Sequence, residues 1–201
     1  NYKNKRIFPL GGKSKIKTIF NNEDGYFPII DTDEKGFNNP SYYLEENKLI
    51  DVLLVGDSFT EGLSVKYGED ISANLRDFGI KAYNIGKSSN GPLIELAGLI
   101  EYGKPTKPKK ILWMYTSNDI IEINKEFTSS FLLKYLNEND FSQNLIDKQE
   151  TIDGSIKQYL SSRAMHSRQQ KNLNILINEL LIDILKFKKT RFTIFKNFFE
   201  P

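Results

Sequence analysis

Ser58 carries the most chemical potential in the chain. It lies in Gly56-Asp57-Ser58-Phe59-Thr60, directly after the apolar run Asp51-Val52-Leu53-Leu54-Val55. A side chain in a glycine-containing turn at a strand end stands at the sheet edge on rigid backbone. A serine hydroxyl is a weak nucleophile unaided and needs a neighbouring base. It also needs donors for the oxyanion that forms when a carbonyl is attacked. The Gly-x-Ser-x-Gly elbow of α/β-hydrolases is absent. Two further polar stretches have the same character: Ser88-Ser89-Asn90-Gly91 and Thr116-Ser117-Asn118-Asp119. Either serves as a turn or helix cap, or as a source of hydrogen-bond donors beside Ser58.

The elements that must position these groups follow from apolar patterning. Residues 51–55, 80–85 and 110–115 read as strands, each short and apolar, as suits a sheet covered on both faces. Residues 67–78 give a helical pattern with Ile71, Leu75 and Phe78 on one side and Gly79 as its stop. Gly91-Pro92 opens a second helix, with Leu93, Leu96, Ala97 and Ile100 on its apolar face and Gly103 at its end. Strand, helix, strand, helix, strand with right-handed crossovers makes a parallel α/β sheet. In such sheets functional groups gather beyond the carboxyl ends of the strands. All three polar stretches lie there. Trp113, inside a strand, reads as core.

Residues 1–50 are turn-rich, with Tyr26, Phe27, Phe37, Tyr42 and Tyr43 interspersed. They read as an irregular lead-in packed on the domain through its aromatics. Residues 51–201 read as the domain proper, helical over 126–190. Phe131, Leu132, Tyr135 and Leu136 mark one helix. Leu173, Leu176, Ile177, Leu180, Leu181, Ile184 and Leu185 mark a longer amphipathic one, expected to pack on the domain.

Composition removes several classes of function. There are no cysteines, so thiol nucleophiles and thiolate metal sites are excluded. His166 is the only histidine and no carboxylates have metal-ligand spacing, so neither metal nor cofactor is expected. The formal net charge of +2 offers no basis for nucleic-acid binding. The basic run Lys104 to Lys110 is broken by Pro105 and Pro108 and reads as a solvated connection. No apolar stretch reaches membrane-spanning length. The chain starts at Asn1 rather than Met, which leaves an upstream segment, and the compartment, open.

Val55-Gly56-Asp57-Ser58-Phe59-Thr60 resembles the first block of the SGNH/GDSL hydrolase family. Asn84 to Pro92 resembles the second block and Thr116-Ser117-Asn118-Asp119 the third. Gly25-Tyr26-Phe27-Pro28, Lys35-Gly36-Phe37-Asn38-Asn39-Pro40 and Gln143-Asn144-Leu145-Ile146 resemble a bacterial branch of that family. The resemblance implies a three-layer α/β/α, flavodoxin-like fold. It implies Ser58 as nucleophile and as one backbone oxyanion donor, Ser89 as the second backbone donor, and the Asn118 side chain as the third. Asp57 and Asp119 are expected to be structural. The implied activity is hydrolysis of a small-molecule or glycan ester through an acyl-enzyme. The alternatives are acyl transfer to a sugar or cell-envelope polymer, and a non-catalytic binding domain that keeps the fold.

Ser88 and Ser89 stand where the family more often has glycine, and Thr116-Ser117 where its third block usually has one. A positive φ at Ser89 would be costly. The family's closing Asp-x-x-His, which supplies the base, has no counterpart in residues 1–201. His166 has Arg163 three residues before it and reads as a surface or helix-boundary residue. The expectation is therefore a fragment whose later strands and Asp-x-x-His lie outside this chain, with little hydrolysis of its own.

Overall fold

A computed structural model describes residues 7–20, 25, 27–47 and 49–199. Tyr26 lies outside the described residues, as do the side chains of His166, Leu180, Leu181, Ile184 and Leu185. The chain divides into two compact units, Asn1–Ile156 and Lys157–Pro201.

The first unit is built on a three-stranded parallel sheet. Its lead-in is less irregular than the turn-rich sequence suggests. β1 (Lys17–Ile19) and β2 (Ile29–Asp31) pair antiparallel, and α1 (Tyr43–Glu46) follows. β3 (Val52–Val55) then enters the core with Leu53, Leu54 and Val55 fully enclosed. A one-turn helix, α2 (Ser58–Glu61), follows directly, then α3 (Ile71–Asp77), β4 (Ala82–Asn84) and α4 (Pro92–Gly98). A π-helical turn, Leu99–Gly103, leads into α5 (Lys104–Thr106) and β5 (Lys110–Trp113). Last come α6 (Asp119–Glu126), α7 (Leu133–Asn137) and α8 (Gln149–Phe199). The sheet order is β4-β3-β5, with Leu53 opposite both Tyr83 and Ile111.

Three details depart from the patterning. α3 starts at Ile71 because Asp70 caps it, accepting from the Ala73 N–H at 3.0 Å. It buries Ser72 and Ala73, while Phe78 is 84% exposed and Ile71 is also outside. The small residues are the ones that allow close approach to the sheet. Gly79 does stop it, with φ +77° and its N–H donating to Arg76 O. Gly103 does not stop α4, since the π turn shifts the register and the helix runs on to Thr106. Its glycine instead answers to packing: a Cβ there would lie 2.7 Å from Leu53 Cδ2. Trp113 is not core. β5 is an edge strand with Ile111, Leu112 and Trp113 all exposed, and the indole Nε1 donates to Glu95 Oε2 at 2.6 Å.

The core joins the lead-in to the sheet. Phe37 packs edge-on against Tyr102 with ring centroids 4.9 Å apart, and Tyr43 stacks with Tyr83. Full burial of one such side chain stabilises by roughly 1.5–3 kcal/mol. Of the lead-in aromatics, Phe37 and Tyr43 are buried, whereas Phe27 and Tyr42 are exposed. Polar groups lock the same junction. Asp33 accepts from Tyr83 Oη and from Asn39 Nδ2, and Asn39 also bonds the backbone of Asn84 in both directions. The buried Glu101 carboxylate accepts from Tyr135 Oη and from the Gln143 and Leu145 N–H groups. Gln143 in turn bonds both backbone groups of Phe8.

In the second unit α8 continues as helix. Leu173, Leu176 and Ile177 are exposed there, so these members of the amphipathic stripe are uncovered in this chain. Among the described residues no helix is long and apolar enough to cross a membrane.

Candidate functional site

The end of β3 is built around Thr60. A Cβ on Gly56 would lie 2.0 Å from Thr60 Oγ1, and one on Gly86 would lie 2.5 Å from Thr60 Cβ. Glycine at both positions lets the first and second polar stretches close on the same buried threonine. Asp57 is then the N-cap of α2: its Oδ1 accepts from the Phe59 N–H at 3.0 Å. Ser58 is the first residue of that helix and is half-buried. It lines a hollow of about 230 Å³ with Phe59, Gly62, Leu63, Ser64 and Val65. Its backbone N–H, at the first turn, has no acceptor among the described residues. No imidazole or carboxylate among them hydrogen-bonds its Oγ.

The second stretch is held at several points. Lys87 N–H donates to Gly56 O at 3.1 Å, Ser88 N–H to Glu61 Oε2 at 2.6 Å, and Asn90 N–H to Lys87 O at 3.1 Å. Lys87 Nζ pairs with Glu61 Oε1 at 2.5 Å. Ser89 stands between these anchors with φ +66°, exposed, its N–H without an acceptor among the described residues. The stretch does not cap α4 with its own side chains. Glu126 of α6 does so, accepting from the Gly91 and Leu93 N–H groups at 2.8 Å.

The third stretch reaches back to the first. Asn118 begins α6 without capping it, and its Nδ2 donates to Asp57 Oδ2 at 3.2 Å. Thr116 Oγ1 lies 2.9 Å from the same Asp57 oxygen and 2.6 Å from Asn118 Oδ1. Its single proton serves one of them at a time. The Asn118 amide has a second hydrogen, which is left for an outside acceptor. Asp119 is fully buried, and its Oδ2 accepts from the Thr116 N–H at 2.6 Å.

Sequence patterning picks out the stretches that hold Ser58, Ser89 and Asn118, and the fold gathers these stretches at the carboxyl ends of β3, β4 and β5. It does not pick out the carboxylates beneath them. Glu61, Glu95 and Glu126 are buried. Burial pushes the Glu95 carboxyl up to about 7 against the Trp113 hydrogen bond, with Asp119, Asp57 and Glu126 adding like charge. Burial also raises Glu126, against the N–H groups of Leu93, Gly91 and Ile94. No signal in the sequence marks them: α2 reads Ser-Phe-Thr-Glu and α6 carries Asp119, Glu122, Asn124 and Lys125 beside Glu126. No group of three or more His, Cys, Asp or Glu among the described residues is arranged to hold a metal ion.

His166 falls on α8 in the second unit, with its side chain outside the described residues. A larger hollow of about 730 Å³ lies along α8 from Arg163 to Asn178. It is lined by that helix alone and contains none of the groups gathered around Ser58. No family model, no curated protein and no solved structure matches this chain.

Proposed function

We propose that the first unit is the nucleophile-bearing part of an SGNH/GDSL-type serine ester hydrolase, acting on a small-molecule or glycan ester. One observation carries the reading. Ser58, Ser89 and Asn118 stand at three parallel strand ends, tied through Asp57, Gly56 and Thr116, with two backbone N–H groups and one amide hydrogen left without acceptors among the described residues. The order β4-β3-β5 also supports it, being what the first three strands of a flavodoxin-like 2-1-3-4-5 sheet present.

In this reading Ser58 Oγ attacks the ester carbonyl carbon and its proton passes to a general base. The oxyanion is held by the N–H groups of Ser58 and Ser89 and by Asn118 Nδ2. Collapse expels the alcohol, which takes the proton back, and water then releases the acyl group by the same steps. The base is an imidazole that is not among the described side chains. The hollow beside Ser58 suits a short acyl group.

A fluorophosphonate probe tests the assignment on the intact protein. Labelling that maps to Ser58 and vanishes in Ser58→Ala is expected. Absence of labelling in protein shown to be folded and to contain an Asp-x-x-His would favour a non-catalytic binding domain.

A further inference from the structure

We infer that Glu61 is a positioning residue: its buried carboxylate ties the turn carrying Ser89 to the helix that begins with Ser58. The inference rests on the reading of Ser58 as nucleophile and Ser89 as oxyanion donor. Glu61 ends α2, three residues after Ser58, and its side chain is 1% exposed. Both oxygens face the second polar stretch. Oε1 takes the Lys87 ammonium at 2.5 Å and Oε2 takes the Ser88 N–H at 2.6 Å. Its own carbonyl accepts from Asn38 Nδ2 at 2.8 Å, so the lead-in holds it from behind.

A carboxylate buried this way is a poor source of stability, because desolvation offsets what the ion pair returns. What it supplies is geometry. Ser89 sits in the left-handed region, which is unfavourable for a residue with a Cβ. The backbone is pinned at Lys87 by Gly56, at Ser88 by Glu61 and at Asn90 by the Lys87 carbonyl. Of these anchors only Glu61 is a side chain, and it is contributed by the nucleophile's own helix. Nucleophile and second donor are thereby set by one rigid turn. Oxyanion donors act only when preorganised at the position the oxygen will occupy.

The test uses the intact protein with p-nitrophenyl acetate, together with amide hydrogen exchange over residues 86–91. Glu61→Gln keeps the shape but cannot accept at both atoms. It should lower kcat about a hundredfold, the usual effect of one misplaced oxyanion donor, with KM nearly unchanged. Exchange at Ser88, whose N–H Glu61 accepts, should quicken. Glu61→Asp, which keeps the charge on a shorter stem, should recover part of the loss. Wild-type kcat in Glu61→Gln, or unaltered exchange, would overturn the inference. If Glu61→Gln does not fold, Lys87→Met keeps the carboxylate and removes its cation. Ser88 exchange slower than that of a free amide then supports the tie, and free-amide exchange there in both this variant and the wild type refutes it. A wild-type protein that neither hydrolyses the ester nor takes a fluorophosphonate would sink the nucleophile reading. The exchange data would still decide whether Glu61 holds the turn.

Discussion

Ser89 and Asn118 differ in what they offer, and they follow β4 and β5, the strands on either side of β3. Asn118 gives one amide hydrogen to Asp57, and in the proposed reading the other meets the oxyanion. Asn118→Ala should therefore lower ester turnover by about a hundred- to a thousandfold. It should leave the melting temperature nearly in place, since the side chain is exposed. Steady-state kinetics beside a thermal melt checks both halves of that expectation. In the same reading Ser89 contributes its backbone N–H, and its φ of +66° places a Cβ where glycine is more comfortable. Left-handed strain of about 1–2 kcal/mol is relieved in Ser89→Gly, against a smaller gain in unfolded-chain entropy. The expected net effect is a stability increase of about 0.5–1 kcal/mol by urea unfolding. A decrease would mean that the serine side chain is used in a way its contacts do not reveal.

At the scale of elements, the site depends on carboxylates contributed across helices rather than within them. Glu126 of α6 closes the N-terminus of α4, and Glu95 of α4 meets Trp113 of β5. The Glu95 carboxyl, pushed up to about 7, gives this arrangement a pH signature. Its folded pKa lies above the value of an unfolded glutamate, about 4.3. The native state thus holds a proton that the unfolded chain has lost. The stabilisation is complete below about pH 4 and drains away as pH rises to about 7. Glu126 and Asp33, also raised by burial, act in the same direction. Urea unfolding at a series of pH values should show stability falling from about pH 5 to 7. Glu95→Gln, which cannot ionise, should flatten that fall. An equally steep fall in the variant would remove Glu95 as its source.

At the scale of the molecule, the core among the described residues belongs to the first unit. Among the described residues every buried hydrophobic side chain lies at or before Ile152, with Ile156 packed against the cluster. A chain ending at Ile156 is therefore expected to unfold cooperatively with urea, with a near-ultraviolet dichroism band from its packed tyrosines. Loss of both would show that the core needs residues of the second unit. The outer edge of β5 is different in kind. Ile111, Leu112 and Trp113 are exposed on a strand of a parallel sheet, a class of sheet ordinarily covered on both faces.

The sequence by itself determined the α/β alternation. Leu53-Leu54-Val55, Ala82-Tyr83 and Lys110-Ile111-Leu112 are apolar enough to announce strands, and Gly79 and Gly91-Pro92 announce helix ends. Local chemistry governs those choices, so they can be read locally. It also brought forward the three polar stretches that hold Ser58, Ser89 and Asn118, because each follows a strand, while the roles of Ser89 and Asn118 within them rest on the resemblance. Tertiary structure decided which helix face is buried and which strand lies at the edge. Phe78 and Trp113 are outside because the neighbours that would cover them are not determined by the residues beside them in the chain. Tertiary structure alone also assigned Glu61, Glu95 and Glu126. A glutamate in a helix looks solvated until an N–H from a segment 18 to 35 residues away is found against it. Such pairing depends on how the helices dock on the sheet, and no local pattern records it.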